Sequence, residues 1–422
     1  MTSKSASANA SNFDVLIIGG GLVGASLACA LELAGKSVAI IEAHAFDDTT
    51  QSSYDDRTVA ISYGSQQILD ALGLWSDLSR YAEPIKTIHI SDRGHFGVTR
   101  LKHDEENVEA LGYVAENRGV GNVLYQHIQN SENITLYCPA NPVAIEQSDA
   151  AVSVSIEDGG QLIKIDAQLL VAADGVSSQV RQMLQIGISE QDYRQSAVIA
   201  NVTPGQSHQN VAYERFTDMG PIAFLPMAEN RCSVVWTVPS EQAERLVSCA
   251  DEDFLERLQE RFGYRLGLLQ HVGKRHIYPL ALIESTQLVR GRIVVVGNAA
   301  HTLHPVAGQG FNLALRDVTL LAELISAAND PGSAALLQSY VEERESDAHR
   351  VYRFTDTLVK IFSNNVAPLG HLRAAGLLLV DLMPPAKHLF AKHSMGLSGT
   401  MSSLGQSLRR QSPDDRATQV DN

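Results

Sequence analysis

The sequence has few cysteines, a deficit of positive charge and no long apolar run. Of its 422 residues only Cys29, Cys138, Cys232 and Cys249 are cysteines, too few and too scattered for a disulfide scaffold or a paired-cysteine zinc site. Lys and Arg number 33 against 48 Asp and Glu, and the formal charge of −15 argues against nucleic-acid binding. No apolar run reaches the roughly 18 residues that span a bilayer. The first residues also lack the apolar segment of a signal peptide, so we expect a soluble, cytoplasmic protein.

The proportions of apolar and charged residues are those of an ordinary globular protein. Apolar residues make up 44% and charged residues 19% of the chain, which excludes wholesale disorder. The length suits two or three domains, each able to bury a core.

A glycine-rich turn lies between a buried strand and a helix near the N-terminus. The aliphatic stretch Phe13–Ile18 precedes Gly19-x-Gly21-x-x-Gly24, and a helical run from Val23 follows. In a dinucleotide site the first glycine permits a tight turn and the second admits a pyrophosphate. The third lets the helix pack closely on the strand. The alternative is a plain glycine turn.

The next buried strand, 37–42, ends in Glu42. An acid at this position typically binds ribose hydroxyls. It also disfavours an NADP-type phosphate, because two anions would repel. Strand, glycine turn, helix and acid together predict a βαβ dinucleotide-binding unit.

A second motif, Asp174-Gly175-x-x-Ser178-x-x-Arg181, follows the buried stretch Leu169–Ala173. Strand ends of this kind build the ligand crevice of a parallel sheet. Taken alone, the motif also fits an ordinary turn followed by a helix that Ser178 caps.

A third motif follows the buried strand 292–297. Its glycines let the main chain lie against a flat ring, and a helix starting near Phe311 would direct its positive end at that ring. Its two histidines lack a third ligand, so we predict no metal site. The motif comprises Gly297, Asn298, His301, His304, Pro305, Gly308, Gln309, Gly310, Phe311 and Asn312.

Between residues 189 and 286 the sequence pattern changes to alternating apolar and polar residues. Strands are predicted at 196–202, 221–227 and 232–238, and a shorter stretch of similar character runs from 85 to 112. Alternation favours an antiparallel sheet with one packed face and one available face.

The three motifs in this order resemble the class A flavoprotein aromatic hydroxylases, the p-hydroxybenzoate hydroxylase-like family. The resemblance covers Phe13 to about Asn365. The segment Asp55-Asp-Arg57 with Ala60-Ile-Ser62 looks like the family's loop whose arginine approaches the flavin. The segment Gly220–Pro226 resembles the substrate-domain strand that covers the ring.

Within the family, three stretches look like the ubiquinone-biosynthesis hydroxylases, specifically the 2-polyprenyl-6-methoxyphenol hydroxylase branch. They are His89–His95, Tyr63–Ser65 and His304–Phe311. Two positions depart from the family pattern. Asn298 stands where the family has an acid, and Asn122-Val123 stands where a Gln/Arg pair is expected at the start of a helix.

The resemblance implies an α/β fold, α+β overall. It has a Rossmann-type FAD-binding domain, an inserted antiparallel β-sheet substrate domain and a C-terminal helical region. The predicted segments are a disordered tail (1–11), the FAD-binding domain (12–84, 113–188 and 287–345), the substrate domain (85–112 and 189–286), the helical region (346–405) and a second disordered tail (406–422).

The resemblance also implies site residues. Catalytic positions are Arg57, Pro305, Gly308 and Gln309. Cofactor-binding positions are Gly19, Gly21, Val23, Gly24, Glu42, Arg57, Asn122, Asp174, Asn298, Gly310, Phe311 and Asn312. Substrate positions are His89, Phe224 and Pro226.

The implied reaction is hydroxylation of a polyprenylated (methoxy)phenol in ubiquinone biosynthesis. NADH or NADPH, bound transiently, reduces FAD, and reduced flavin reacts with O2 to give a C4a-hydroperoxide. Alternatives are another ring position, a small non-prenylated phenol, a prenyl reductase or a non-catalytic flavoprotein in a biosynthetic assembly. A halogenase is disfavoured because Trp75 and Trp236 lie far apart and form no WxWxIP signature.

The segment 360–410 carries six basic residues and one acid, Asp381, around the apolar stretch Ala374–Val380. This composition fits either an interfacial anchor or lid, or a C-terminal helix packed on the domain. The first alternative predicts peripheral contact with the inner face of the cytoplasmic membrane. Predicted partners are the polyprenylated phenol, that membrane surface and other ubiquinone-biosynthesis proteins, with no nucleic acid.

Overall fold

The computed structural model describes residues 11–45, 57–158, 160–302, 309–347 and 367–397. The predicted disordered tails fall outside these residues, except that residue 11 begins the first strand. In chain order the described strands are β1 (Ser11–Ile18), β2 (Val38–Ile41), β3 (Thr58–Ser62), β4 (Ala82–Ile85), β5 (Thr87–Asp92), β6 (Val98–Lys102), β7 (Gly112–Glu116), β8 (Ile134–Tyr137), β9 (Asn141–Gln147), β10 (Val152–Asp158), β11 (Gln161–Ala172), β12 (Ile188–Pro204), β13 (Val211–Phe216), β14 (Pro221–Met227), β15 (Arg231–Pro239), β16 (Leu269–Val272), β17 (His276–Ser285), β18 (Val289–Arg290), β19 (Ile293–Val295) and β20 (His301–Thr302).

The described helices, also in chain order, are α1 (Leu22–Leu33), α2 (Tyr63–Ala71), α3 (Trp75–Leu78), α4 (Asn117–Asn130), α5 (Gln179–Met183), α6 (Ser240–Ser248), α7 (Asp251–Phe262), α8 (Gln309–Ser326), α9 (residues 334–347), α10 (Ala367–Leu382) and α11 (Pro384–Ser394).

The first sheet contains the predicted βαβ unit. Its strand order is β18-β19-β11-β1-β2-β8, with β10 and β9 added beside β11. The pairs of β1 with β11 and β2, of β2 with β8 and of β11 with β19 are parallel. Val15 and Ile17 of β1 face a core with α1, α4 and α8, whereas Leu16 and Ile18 face a second core with β10 and α5. Strands buried on both faces explain the near-continuous aliphatic runs in the sequence. The α/β fold class is confirmed.

Nine described strands form the second sheet, in the order β20-β17-β12-β15-β14-β13-β5-β6 with β16 beside β12. Most neighbours are antiparallel, as predicted, but β13 and β5 run parallel. These two strands come from distant parts of the chain, so no hairpin fixes their relative direction. Strand β20, from the segment predicted for the FAD-binding domain, pairs with β17 in this sheet. The division of the chain into domains stays a prediction.

Two smaller units lie beside the second sheet. Strands β3, β7 and β4 form a small antiparallel sheet. Helix α10 packs on β5 and β6, where the Thr99 hydroxyl donates to the Leu377 carbonyl at 2.7 Å. The backbone N–H of Arg100 donates to Asp381 at 2.8 Å. In the described part of the chain, no helix is both long and apolar enough to cross a membrane.

Because α1 packs closely on β1, a single methyl group added at Gly24 is predicted to lower the stability of the protein strongly. A Cβ on Gly24 would lie 2.0 Å from the Gly19 carbonyl oxygen, and backbone cannot move away cheaply. We expect Gly24→Ala to lower the free energy of unfolding by about 1–3 kcal/mol or more, as overpacking does. Urea denaturation measures the change.

The matched control is Gly273→Ala, because a Cβ at Gly273 meets its nearest atom at 3.6 Å, an ordinary contact. Equal stability of the two variants would contradict the close-packing explanation.

Candidate active site

One continuous cavity of about 1260 Å³ extends from the carboxyl ends of the parallel strands to the second sheet. At one end it is lined by Ile18, Glu42 and Ala173, which end or directly follow β1, β2 and β11. At the other end it is lined by side chains of β5, β13, β14 and β15. The cavity thus reaches both the strand ends of the first sheet and the second sheet.

The glycine turn brings backbone to the cavity wall. Gly19 has a φ of +103°, and a Cβ there would lie 2.4 Å from the Ala173 carbonyl oxygen. Gly21 forms the N-cap of α1 and lines the cavity together with Leu22 and Val23. The N-terminus of α1 therefore faces the cavity, where its free N–H groups favour an anion such as a pyrophosphate. Gly24 lies behind this wall and sets the approach of α1 to β1.

Glu42 lines the cavity and is fixed by two backbone donors. Its Oε2 accepts the Gly20 N–H at 2.6 Å, and its Oε1 accepts the His44 N–H at 2.9 Å. These bonds orient the carboxylate at the end of β2, where a ribose is expected.

Two polar side chains at the cavity have acceptor atoms without a hydrogen-bond partner in the described residues. Asp174 Oδ2 accepts the Val180 N–H at 3.1 Å, while its Oδ1 has no such partner. Asn117 Oδ1, at the first residue of α4, is likewise unsatisfied. Both residues line the cavity. Buried acceptors normally have partners, so these two fit a ligand that carries hydroxyl donors.

Helix α8 begins at Gln309 and presents Gly310, Phe311 and Asn312 to the cavity. A Cβ on Gly310 would meet no described atom within 4 Å, so this glycine leaves open space for a flat ring. Asn312 accepts the Ser62 N–H at 2.8 Å and donates to the Ala60 carbonyl at 2.9 Å. These two bonds hold the first turn of α8 against β3.

Two other predicted positions also lie at the cavity. Arg57, just before β3, has its guanidinium carbon 5.2 Å from the centre of the Tyr278 ring. Asn298 is exposed towards the cavity from the short 3-10 turn Gly297–Ala299. Of the remaining positions, Pro305, Gly308 and His304 lie outside the described residues, and the side chain of Gln309 is not described.

The helix expected to start near Asn122 begins five residues earlier, which corrects the sequence prediction. Helix α4 begins at Asn117, so Asn117 and Arg118 occupy its first turn and Asn122 lies in the second. Asn117 lines the cavity and Asn122 does not.

The three predicted substrate residues are not among the residues that line the cavity. Phe224 is fully buried on the opposite face of the sheet, with its ring 4.0 Å from that of Phe262. Pro226 lies two residues after Phe224 on β14 and therefore points to the same face. The His89 ring packs against the Tyr213 ring, with 5.4 Å between the ring centres. Burial, with smaller effects of nearby arginines, lowers the pKa of His89 to about 4. The cavity is lined instead by the alternate residues Ile88, Ile90, Ala223 and Leu225, because successive side chains of a strand point to opposite faces.

The sequence prediction also missed a carboxylate, Glu214, at the cavity wall. Burial raises its pKa to about 7. The available signal was a lone acid inside the alternating strand β13. Helices α10 and α11 complete the wall with Gly376, Leu377, Val380, Phe390 and Ser394.

His301 belongs to a buried ion cluster. Its Nε2 lies 3.2 Å from Asp317, which in turn lies 2.5 Å from Arg344. Burial opposes ionisation of Asp317, but Arg344 and His301 outweigh it and hold its pKa below the usual value. Among the described residues no group of three or more His, Cys, Asp or Glu side chains could hold a metal ion.

The fold and the cavity together define a flavoprotein of the FAD-dependent monooxygenase class, which uses NAD(P)H and O2. Residues 12–355 match the model of the family described as FAD binding domain, and the chain belongs to this family. The predicted cofactor and enzyme class are confirmed.

The chain is similar in sequence to known hydroxylases over most of its length. It is 40% identical to the ubiquinone hydroxylase UbiL of Rhodospirillum rubrum, over 91% of this chain and 89% of the relative. It is 31% identical to the 3-demethoxyubiquinol 3-hydroxylase of Escherichia coli, over 91% and 98%. A p-nitrophenol 4-monooxygenase structure from Pseudomonas putida superposes with a TM-score of 0.77 at 19% identity, covering 93% of this chain and all of that chain (100%), which shows the shared fold.

The two backbone bonds of Glu42 predict a specific defect in cofactor binding. In Glu42→Gln the amide NH2 faces a backbone N–H, so one of the two donors loses its partner. We expect FAD affinity to fall about tenfold, since hydrogen bonds to charged groups contribute about 1.5–3 kcal/mol. FAD titration followed by flavin fluorescence measures the dissociation constant.

Glu146→Gln is the control, because Glu146 is an exposed partner of Lys164 at 3.1 Å. Unchanged FAD affinity in Glu42→Gln would overturn the assigned role of Glu42.

Proposed function

We propose that this protein hydroxylates the aromatic ring of a polyprenylated phenol in ubiquinone biosynthesis. The relatives named above act, by their names, on ubiquinone or its precursors, and they match about nine-tenths of the chain (91%). The observation that carries the proposal is one continuous cavity, which joins the carboxyl ends of the parallel strands to a largely apolar floor on the second sheet.

The chain would hold FAD through residues at the nucleotide end of the cavity. The N-terminus of α1 would bind the pyrophosphate, Glu42 a ribose, and Asp174 and Asn117 the ligand's hydroxyl groups. Gly310 and the first turn of α8 would lie against the flat ring. When bound, FAD accepts electrons from NAD(P)H and activates O2.

The rest of the cavity orients the substrate and excludes water. Its floor is mostly apolar, with Ile88, Ile90, Ala223, Leu225 and Val235 all in the lining. Helices α10 and α11 cover the same region from the other side. A phenol ring with a hydrocarbon tail is matched to such surfaces, and a dry site limits wasteful side reactions of activated oxygen.

A direct assay tests the proposal. The FAD-loaded protein, NADH or NADPH, O2 and a prenylated methoxyphenol should give a product heavier by one oxygen atom. The same ring without its prenyl tail should react with a higher KM, because about 0.8 kcal/mol is lost per unburied CH2 group. Oxygen uptake and product mass are measured together.

Nicotinamide oxidation without any phenol oxidation would overturn the proposed reaction. Equal kinetics with the tailed and tailless phenols would favour the small-phenol alternative.

We also propose that α10 and α11 contact a membrane surface. Leu379, Leu382 and Leu389 are 57%, 68% and 69% exposed, and Met383 lies between the two helices. The same helices carry Lys392, which is exposed. Apolar side chains beside cations are typical of interfacial binding to anionic lipid. This placement would set the helices that cover the cavity at the source of a lipid-tailed substrate.

A vesicle experiment tests the membrane contact. The double variant Leu379→Glu/Leu382→Glu should bind vesicles of anionic phospholipid at least about tenfold more weakly, because two buried leucines contribute about 1.5–3 kcal/mol each. Co-sedimentation measures binding. The control is Leu268→Glu, since Leu268 is 67% exposed away from these helices. Equal binding by both variants would refute the assigned surface.

A further inference from the structure

Glu214 lies in the middle of a row of side chains that crosses the floor of the cavity. Ile90 pairs with Glu214 and Glu214 with Ala223, and the row continues through paired residues of β15 and β12. Thr99 extends it at the other edge, where it pairs with Ile90. All members line the cavity: Thr99, Ile90, Glu214, Ala223, Val235 and Ile199. Glu214 is the only ionisable member of this row.

The surroundings of Glu214 supply no partner within the described residues. No hydrogen bond or ion pair of its carboxyl group is present there, and its burial raises the pKa without any compensating charge. A carboxyl group among apolar side chains is costly unless something pairs with it. Because Glu214 lines a ligand cavity, a bound ligand can supply the hydrogen-bond donor that its carboxyl group lacks among the described residues.

No charged group on the neighbouring described elements forms an ion pair with Glu214. Strand β14 carries no ionisable side chain, and on β5 Asp92 pairs with His95 at 3.2 Å. His89, Arg215 and Arg265 lie towards the opposite face of the sheet. Arg57 lies beside the Tyr278 ring, Asp381 accepts the Arg100 N–H, and Lys387 pairs with Glu105. His393 lies near Arg316 and Asp347.

We propose that Glu214 accepts the hydrogen bond, and then the proton, of the substrate's phenolic hydroxyl group. The inference rests on the proposed function, since it names the residue that recognises the polar end of that substrate. Ile90 and Ala223 on either side hold the apolar ring, and Glu214 fixes which way the hydroxyl group points.

The proton transfer balances within the site. The phenol O–H bond breaks and a carboxyl O–H bond forms on Glu214, which leaves the electron pair on the phenolate oxygen. That pair raises the electron density of the ring carbons that attack an electrophilic oxygen. The same proton returns to the product oxygen, so Glu214 ends in its starting state. A base with a pKa near the working pH suits this exchange.

A matched pair of ligands tests the inference by binding alone. One is a prenylated 2-methoxyphenol, and the other is its methyl ether, which has no O–H donor. Binding to the FAD-loaded protein is followed by flavin fluorescence between pH 6 and 8, on the order of one unit either side of the pKa of Glu214. The phenol stays neutral throughout because its own pKa is about 10.

The wild-type protein should bind the phenol about tenfold more tightly at pH 8 than at pH 6, because only the ionised carboxylate is a strong acceptor. Its affinity for the ether should not rise with pH. In Glu214→Gln both ligands should bind with affinities that do not change between these pH values, and kcat for the phenol should fall. His89, with a pKa of about 4, stays neutral across this range.

Val235→Ala is the control within the same row. It should weaken the phenol and the ether equally and leave the pH dependence of phenol binding intact. A pH-dependent preference for the phenol that persists in Glu214→Gln would overturn the role of Glu214. Failure of the wild-type protein to bind either ligand would instead overturn the proposed function, and the inference with it.

Discussion

The site depends on a backbone contact that only glycine permits. Gly24 places α1 so close to β1 that a Cβ would lie 2.0 Å from the Gly19 carbonyl oxygen. Gly19 in turn sits against the backbone of Ala173, at the end of β11. These approaches bring three chain segments to one edge of the parallel sheet and direct the N-terminus of α1 into the cavity. Side chains such as Glu42 and Asp174 can then act on the same ligand, because the strands that carry them end together.

The parts of the site that could be predicted from sequence are those with local causes. A glycine turn between a strand and a helix must be formed by neighbouring residues, so Gly19, Gly21 and Gly24 could be recognised in the sequence. The direction of a side chain on an antiparallel strand is different, because it depends on register with partners far along the chain. Phe224 was assigned to the substrate on sequence likeness, while the pleat turns its neighbours Ala223 and Leu225 to the cavity. The position of Asn117 at the cavity depended similarly on where α4 begins.

The C-terminal helices show why two sequence interpretations need not exclude each other. The apolar stretch before Leu382 was open to either a packed helix or an exposed one. Leu377 and Val380 line the cavity, whereas Leu379 and Leu382 face outward from the same helix. A helix that is apolar on both sides has no polar face in this stretch for periodicity to detect, so the pattern alone could not assign its orientation.

Buried charge connects the two ends of the cavity. The first turn of helix α8 carries Asn312 at the cavity, and the next turn carries Arg316 and Asp317, where Asp347 of α9 lies 3.4 Å from Arg316. His393 of α11 adjoins this cluster, and burial, together with the positive charge of Arg316, lowers its pKa. Removing one partner from a buried ion pair costs about 3–5 kcal/mol, so these charges must assemble together. Because the helix that lies against β3 also carries the charges beside α11, the ring end and the helical cover of the cavity are held in one arrangement.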